Sequence, residues 1–231
     1  MDLGIAGRTA LVVGGSGLIG RAVAAALVRE KARVFLAGRS AERLAAAAAE
    51  VDGQTGILTL DTRDADSVNA AIERLIATEG PIDILVNTAA PPASSLDPSR
   101  DSDPEQVLDA FDAKAVGYLR AMNAVLPHMR DAGFGRIVNV SGQNAFLTRS
   151  VTGSVRNAAV IVASKSLADA YAGSGITINV VNPGFVKPDA SEIGESTPDQ
   201  VAALVTFLTS AHAAAISGES IAVGHRTPGA Q

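Results

Sequence analysis

The chain has 231 residues, of which 47% are hydrophobic and 19% charged, enough to bury one sizeable core without requiring a second domain. Its formal net charge of −5 and its isoelectric point of about 5.2 disfavour a general nucleic-acid surface. The sequence contains no cysteine, which excludes disulfides, thiolate metal sites and a cysteine nucleophile.

The N-terminal segment, MDLGIAGRTALVVGG, has no basic run ahead of an apolar stretch, so no signal peptide is expected. No stretch approaches the roughly 20 uninterrupted apolar residues of a membrane-spanning helix. The histidines show no metal-ligand spacing, so no metal site is predicted. We therefore expect a soluble, cytoplasmic protein.

Short aliphatic runs alternate with longer helical patterns along the whole chain. This alternation is typical of βαβ units and predicts a doubly wound α/β fold of the Rossmann type. The runs are almost continuously apolar, which favours parallel strands covered by helices on both faces of the sheet. We predict one domain over residues 1–231 with about seven parallel strands: Thr9–Val13, Ala32–Ala37, Gly56–Leu60, Ile82–Asn87, Arg136–Ser141, Thr177–Asn182 and Glu219–Val223.

Capping residues and prolines locate the helix starts. Ser40 is predicted to cap the alanine-rich helix that follows it, and Thr197 to cap the last helix. Pro104 is predicted to stand near the start of a long helix that continues through Arg130. Pro127 should kink or loosen that helix near its end.

The first predicted strand runs directly into a glycine-rich turn, residues 14–20, and then into a helix. Such a turn lets the backbone approach a pyrophosphate and directs free helix N–H groups at it. A tight turn with close helix–sheet packing leaves the same pattern, but the position after the first strand favours a dinucleotide site. The residues expected at the cofactor here are Gly14, Ser16, Gly17, Leu18, Ile19 and Gly20.

The second predicted strand, Ala32–Ala37, is followed by Gly38, Arg39 and Ser40, and the last two are expected at the cofactor. Sites selective for NAD place an acid here for the ribose hydroxyls, whereas an arginine pairs with a 2′-phosphate. A solvated arginine is the alternative, although a cation is unfavourable at a helix N-terminus. The pattern favours NADP(H) over NAD(H).

Later segments resemble, in the right order, the motifs of the short-chain dehydrogenases/reductases. Residues 83–90, DILVNTAA, resemble that family's DILVNNAG motif, with departures at Thr88 and Ala90. Residues 136–141 resemble its fifth strand, and residues 176–186 its sixth strand and Pro-Gly turn. The resemblance covers essentially the whole chain.

This resemblance implies further cofactor contacts. Asp61, with its neighbour Thr62, inherits the acidic contact to the adenine after the third strand. Asn87 would brace the central sheet, and Ala89 would lie beside the cofactor ribose. The other implied cofactor residues are Thr88 and, near the nicotinamide, Pro183 and Gly184.

The family reduces carbonyls with a serine, a tyrosine and a lysine four residues after the tyrosine, assisted by a helix asparagine. Four residues after Tyr118 and Tyr171 stand Met122 and Gly175, so the tyrosine–lysine spacing is absent from the sequence. The chain is therefore predicted to be a divergent member without the Ser-Tyr-Lys set.

Alignment on the sixth strand shows what replaces that set. The tyrosine position falls on Gly153 and the lysine position on Asn157. The serine position falls on Gly142, with Ser141 one residue early and expected to point away. The asparagine position falls on Lys114.

Lys114, Ser141 and Asn157 are thus the candidate catalytic residues. Lys114 is expected to face the cleft, where it would stabilise an oxyanion, act as a base or bind an acidic ligand. The alternative is a lysine that fills space and pairs with a carbonyl or an acid. Other polar residues expected near the pocket are Gln143, Asn144 and Arg156.

The substrate-covering segment, residues 185–197, is shorter than the family's usual one, which weakens the exclusion of water. Three interpretations stay open. The preferred one is an NADP(H)-linked oxidoreductase with an atypical proton donor, acting on a small carbonyl or hydroxyl compound. The others are a non-redox cyclase, isomerase or dehydratase on the same scaffold, and a non-catalytic NADP(H)-binding protein. Family habit implies a homo-oligomer, a dimer or tetramer, with no nucleic-acid or membrane partner.

Overall fold

The computed structural model describes residues 2–51, 55–91, 95–147 and 149–224. Within these ranges the strands are β1 (Thr9–Val13), β2 (Arg33–Gly38), β3 (Gly56–Thr59), β4 (Ile84–Asn87), β5 (Gly135–Val140), β6 (Ile176–Pro183), β7 (Phe185–Val186), β8 (Glu195–Ser196) and β9 (Ser220–Val223). Seven of them form one parallel sheet in the order β3-β2-β1-β4-β5-β6-β9, and β7 pairs with β8. The predicted Rossmann-type sheet of seven parallel strands is confirmed.

Helices cover both faces of this sheet. They are α1 (Leu18–Arg29), α2 (Ala41–Val51), α3 (Ala65–Glu79), α4 (Pro104–Phe111), α5 (Gly117–Ala132), α6 (Val151–Ala170) and α7 (Pro198–Leu208). Helices α1, α2 and α7 share one apolar core with the sheet, and α3, α5 and α6 share the other. Because the inner strands are buried on both faces, their sequences are apolar almost without interruption.

The observed bounds differ little from the predicted ones. Strand β1 begins and ends as predicted, and the ends of the other strands of the large sheet differ from the predicted ones by at most two residues. Ser40 caps α2 by accepting a hydrogen bond from the Arg43 backbone N–H, 3.2 Å away. Thr197 caps α7 and forms a reciprocal capping box with Gln200.

The predicted long helix after Pro104 needs a correction. A π-helical turn over Asp112–Val116 separates α4 from α5. Helix α5 continues past Pro127 and ends at Ala132, where Gly133 adopts a left-handed conformation with φ of 66°. The periodicity of the sequence does not reveal this π-helical turn, a feature that is frequent at functional sites.

Parallel pairing places the carboxyl ends of β1, β4, β5 and β6 along one edge of the sheet. The strand order reverses between β1 and β4, since β2 and β3 lie on one side of β1 and β4 to β6 on the other. Ligands of open α/β sheets bind in the crevice at such a switch point. None of the helices within the described ranges is both long and apolar enough to cross a membrane.

Candidate active site

The loops that follow β1 and β4 contact each other directly at the base of the crevice. Gly14 has φ of 85°, a left-handed conformation that glycine adopts without strain. A Cβ atom on Gly14 would lie 2.6 Å from the backbone nitrogen of Ala89. The Thr88 hydroxyl donates to the Val13 carbonyl at 2.9 Å, so this departure from the family motif ties the β4 loop to the end of β1.

Helix α1 starts directly on the glycine loop. A Cβ atom on Gly20 would lie 2.3 Å from the Gly14 carbonyl oxygen, so the first turn of the helix packs against the loop with no space for a side chain. Gly17 is the N-cap residue and offers no side chain to the first-turn N–H groups. Ser16, Leu18 and Ile19 occupy the loop and this first turn. A helix N-terminus with no side-chain cap is suited to an anion such as a pyrophosphate.

Arg39 stands at the end of β2 on the same edge of the sheet. Its side chain is exposed and has no hydrogen-bond or ion-pair partner among the residues that the structure describes. Ser40, in contrast, is engaged in capping α2. An exposed guanidinium without an internal partner is free to pair with a phosphate.

The residues after β3 are held by local hydrogen bonds. The Asp61 carboxylate accepts the backbone N–H of Arg63 at 3.0 Å, and the Ser67 hydroxyl accepts that of Asp61 at 3.0 Å. The Thr62 carbonyl accepts a hydrogen bond from Arg120 of α5 at 3.0 Å. These bonds fix Asp61 and Thr62 at the carboxyl edge, beside the crevice.

Asn87 links the centre of the sheet. Its Nδ2 atom donates to Asn139 Oδ1 on β5 at 2.8 Å, while its own buried Oδ1 has no partner in the part of the chain that the structure describes. The Asn139 amide donates in turn to the Ser164 hydroxyl of α6 at 2.9 Å. This network holds β4, β5 and α6 together beneath the cleft, in the bracing position that the resemblance implied for Asn87.

Lys114 lies inside the protein, although its residue type is usually exposed. It belongs to the π-helical turn and is 4% exposed. Its ammonium nitrogen lies 2.8 Å from the Ser141 carbonyl oxygen and 2.8 Å from Asn157 Oδ1. Burial, and secondly the nearby Arg156 guanidinium, lower the pKa of Lys114 well below its ordinary value.

The structure brings the three candidate catalytic residues into mutual contact. The Ser141 hydroxyl donates to the Asn157 carbonyl at 2.9 Å, so this side chain is committed to α6. Lys114 contacts both of the others, and its third hydrogen has no acceptor among the described residues. The arrangement is therefore a fixed amine with one position left for a ligand or a proton.

Glycines occupy positions 142 and 153, which the sequence alignment assigned to the family's serine and tyrosine. A Cβ atom on Gly142 would lie 3.1 Å from Asn157 Nδ2, so a side chain there would point at the lysine cluster. A Cβ atom on Gly153 would lie 3.0 Å from Ser150 Oγ and 3.2 Å from Asn144 Nδ2. Asn157, which the Gly142 position faces, also accepts a hydrogen bond from Lys114.

Two neighbours of Lys114 were not among the predicted catalytic residues. Tyr118, one helical turn after Lys114, donates its buried hydroxyl to the Val140 carbonyl at 3.1 Å, and burial raises its pKa. Arg156 donates to the Pro91 carbonyl at 3.1 Å and is 5% exposed. The four-residue spacing of Lys114 and Tyr118 is a sequence signal that could have paired them on one helix face.

The short segment after β6 is folded onto itself. Strands β7 and β8 pair, and a Cβ atom on Gly184 would lie 2.0 Å from the Gly194 carbonyl oxygen. Pro183 belongs to the last part of β6, paired with Val223 of β9. Lys187 forms an ion pair with Glu195, and this contact, with two backbone donors, lowers the pKa of Glu195 to about 2.

Comparisons with known proteins agree with this geometry. Residues 8–198 match the family described as short chain dehydrogenase. The chain is 30% identical to the D-threitol dehydrogenase of Mycolicibacterium smegmatis, over 96% of this chain and 93% of that protein. It is 32% identical to the 3-oxoacyl-(acyl-carrier-protein) reductase of Vibrio harveyi, over 96% and 97% of the two chains.

Solved structures show the same fold. The actinorhodin polyketide ketoreductase, solved as a variant with NADPH, is 26% identical and superposes with a TM-score of 0.83, covering 94% of this chain and 95% of that one. Together with the family match and the sheet order, these likenesses identify the chain as a member of the short-chain dehydrogenase/reductase family of oxidoreductases, which use nicotinamide cofactors.

Proposed function

We propose that the protein binds NADP(H) and interconverts a small carbonyl compound and its alcohol, with Lys114 as the proton-transfer group. The observation behind this proposal is the buried Lys114 amine held between the Ser141 carbonyl and the Asn157 amide. It lies at the carboxyl edge of the sheet, where β5 and α6 meet the cofactor crevice. Of the three candidate catalytic residues, Lys114, Ser141 and Asn157, Lys114 is the one whose side chain gains and loses a proton in the physiological range of proteins.

The residues of the crevice fit a dinucleotide carrying a 2′-phosphate. Gly14 and Gly20 allow the loop to lie flat under α1, whose uncapped N-terminus would take the pyrophosphate. Arg39 would pair with the 2′-phosphate, and no acid stands beside it at the strand end. Asp61 and Thr62 would flank the adenine, with Asn87, Thr88 and Ala89 along the ribose and Pro183 and Gly184 near the nicotinamide.

When bound, the reduced nicotinamide supplies a hydride to the carbonyl carbon. Lys114 would donate a proton to the carbonyl oxygen and take it back in the reverse reaction. Two of its ammonium hydrogens are held by the Ser141 carbonyl and the Asn157 amide. The tetrahedral geometry of the nitrogen therefore sets the direction of the third hydrogen. A lowered pKa brings the amine closer to neutral pH, where a general acid–base group is most effective.

A screen of carbonyl compounds with NADPH tests this proposal. We expect slow or absent reduction of simple ketones and aldehydes by the family's usual route, because a positioned general acid contributes about 10²- to 10⁴-fold and the sequence offers no tyrosine for that role. Oxidation of NADPH by a matching substrate, lost in Lys114→Met, would support the proposal. Turnover of common test carbonyls at rates on the order of 10 s⁻¹, retained in Lys114→Met, would contradict it.

A non-redox reaction is the second candidate, favoured by the glycine at position 153, which leaves the tyrosine position without a hydroxyl. A cyclase, isomerase or dehydratase would turn over its substrate without consuming NADPH. A non-catalytic cofactor-binding protein would do neither. Measuring substrate loss and cofactor oxidation in the same reaction separates the three.

We further propose that the protein is a cytoplasmic homo-oligomer, a dimer or tetramer, assembled through its long helices. Helix α6 exposes apolar side chains, among them Val162 at 65% and Val155 at 40%. Pairing of α6 with a second copy would cover them. Light scattering of the wild type and of Val162→Glu tests this, and a monomeric wild type would refute it.

A further inference from the structure

Arg156 is a buried cation with an incomplete set of partners. It projects from α6 toward the loop after β4, at the carboxyl edge of the sheet. Its Nη1 atom donates to the Pro91 carbonyl at 3.1 Å, while its Nε atom is buried and has no partner within the described ranges. A guanidinium has five N–H donors, so one carbonyl leaves most of its hydrogen-bonding capacity unused.

Lys114 places a second cation in the same region. Both of its acceptors are neutral oxygens. Burial is the main cause of its lowered pKa, and repulsion by Arg156 adds to it. Keeping Lys114 as a buried ammonium beside Arg156 is costly unless a negative charge accompanies the two.

No residue that the structure describes supplies this negative charge. The ion pairs within the described ranges involve neither Lys114 nor Arg156. The Tyr118 phenol is near Arg156, but burial raises its pKa and its hydrogen is given to Val140. The phenol is therefore neutral at physiological pH.

Arg136 shows how this protein accommodates a buried arginine that has no acid. It lies at the opposite edge of the sheet and is 5% exposed, like Arg156. Its Nη1 atom donates to two carbonyls, of Gly135 and Gly175, and its guanidinium lies over the Phe134 ring at 4.4 Å. The Nε atom of Arg136 is also buried and without a partner among the described residues, so that atom does not distinguish the two arginines. The difference is that Arg136 has a second carbonyl and an aromatic ring, and Arg156 lacks both among the described residues.

We propose that Arg156 and Lys114 form an anion seat for a carboxylate group of the substrate. The planar guanidinium fork matches a carboxylate in a bidentate geometry, with the Lys114 ammonium as a second, point-like contact. This inference rests on the proposed function and names its substrate class: a small oxo acid or hydroxy acid. The seat lies at the carboxyl end of β5, beside the Pro91 carbonyl of the loop after β4.

Binding at this seat has a consequence for protonation. A carboxylate next to Lys114 favours its ammonium form and offsets both burial and the repulsion by Arg156. We therefore expect the protein to take up a fraction of a proton per carboxylate bound at neutral pH. The same uptake would load Lys114 with the proton that it delivers to the carbonyl oxygen.

Isothermal titration calorimetry of the whole chain tests the seat without requiring turnover. The probes are acetoacetate, 2-oxobutanoate and succinate, each paired with its neutral methyl ester (for succinate, the dimethyl ester). We expect at least one carboxylate to bind at least tenfold more tightly than its ester. Repeating the titration of the tighter-binding carboxylate in buffers of different ionisation enthalpy should show proton uptake. The proposal would be overturned if all three esters bound as tightly as their acids.

Two variants with the same loss of charge locate the seat. Arg156→Gln should weaken carboxylate binding at least tenfold, whereas Arg136→Gln should leave it within about twofold of the wild type. Equal loss in both variants, or none in Arg156→Gln, would overturn the proposal. Circular dichroism checks that each variant is folded. If Arg156→Gln does not fold, Arg156→Lys decides, since it keeps the charge and loses the fork: weaker binding supports the seat and unchanged binding refutes it.

The cofactor distinguishes the source of the anion. If the seat takes a substrate carboxylate, saturating NADPH should leave the carboxylate affinity unchanged or raise it. Competition between NADPH and the carboxylate would assign the seat to a cofactor phosphate and overturn the proposal. A protein that binds the carboxylate but not NADPH would refute the proposed function while leaving the anion seat in place.

Discussion

The cleft has two proposed halves that are built in different ways: a cofactor half at the glycine loop and the start of α1, and a substrate half around Lys114. In the cofactor half, the decisive features are backbone features: the left-handed Gly14, the contact of Gly20 with the loop, and the uncapped start of α1. In the substrate half, the decisive features are the side chains of Lys114, Asn157 and Arg156. A fold therefore preserves its dinucleotide crevice through topology and glycines, while the chemistry beside it changes with a few side chains.

The largest effect is expected from Gly20→Ala at the glycine loop, which should lower both stability and cofactor binding. Its Cβ atom would lie 2.3 Å from the Gly14 carbonyl oxygen, so either the loop or α1 must move. We expect this overpacking to cost about 1–3 kcal/mol in the free energy of unfolding and to abolish NADPH binding. Chemical denaturation and calorimetry measure the two effects.

Gly17→Ala is the matched control for Gly20→Ala. The nearest atom that its Cβ would meet is the Gly14 carbonyl oxygen at 3.3 Å, and nothing else lies within 4 Å. We expect its free energy of unfolding to stay within about 0.5 kcal/mol of the wild type. Equal destabilisation by the two variants would show that the contact at Gly20 does not control the loop.

Lys114→Met probes the substrate half. Methionine has a similar length and is apolar, so the fold should persist, since apolar replacement of a buried charge is often neutral or stabilising. If Lys114 transfers the proton, activity on the matching substrate should fall by about 10²- to 10⁴-fold. The control is Lys165→Met on α6, an exposed lysine that pairs with Asp169 and should leave activity unchanged.

A smaller loss would reveal which function the protein has. If Lys114→Met changes only NADPH affinity, and that modestly, the protein binds cofactor without the proposed chemistry. If it removes turnover that consumes no NADPH, the non-redox alternative is correct. The variant thus separates the interpretations that family membership leaves open.

The geometry of the glycine loop follows from the sequence more directly than the contacts of Lys114 do, for a physical reason. Strand β1, the glycine loop and the α1 start are contiguous, so their geometry follows from local pattern and backbone sterics. Ser40 and Thr197 likewise act on N–H groups only three residues away. Local rules suffice where the partners are neighbours in the chain.

The contacts of Lys114 could not be predicted in this way. Its acceptors, Ser141 and Asn157, are 27 and 43 residues distant in the sequence. The π turn that presents Lys114 adds a residue to a helical turn, which periodicity does not detect. The proposed role of Arg156 depends on its contact with Pro91, 65 residues away in the sequence, and on the lack of an acidic partner among the described residues. Neither can be read from the sequence around Arg156.

Arg39→Ala tests the cofactor preference of the proposed cofactor half, and its expected effect on binding is smaller than that of Gly20→Ala. We expect the wild type to bind NADPH at least tenfold more tightly than NADH, and the variant to lose this preference. A tenfold preference corresponds to about 1.4 kcal/mol, within reach of one charge-assisted contact. Calorimetric titration of both cofactors measures it. Arg74→Ala, an exposed arginine of α3, is the control and should keep the preference.

The smallest expected effect is the pH dependence of stability that the buried Lys114 introduces. Burial and, secondly, Arg156 place its pKa in the folded protein below that in the unfolded chain. Between these two pKa values the unfolded chain binds a proton that the folded chain does not, so the free energy of unfolding rises with pH through this window. Above the ordinary lysine pKa the contribution is constant, and below the folded pKa it is constant at a lower level.

Comparison with Lys114→Met isolates this contribution, because methionine does not titrate. The melting temperature of the wild type relative to Lys114→Met should therefore increase as the pH is raised from about 6 to 9, with Lys165→Met showing no such trend. A saturating carboxylate that binds beside Lys114 should flatten the trend, since it raises the pKa of the folded state toward that of the unfolded chain. A relative stability that falls as the pH rises would mean that an acid pairs with Lys114, and both its proposed proton transfer and the anion seat would then have to be abandoned.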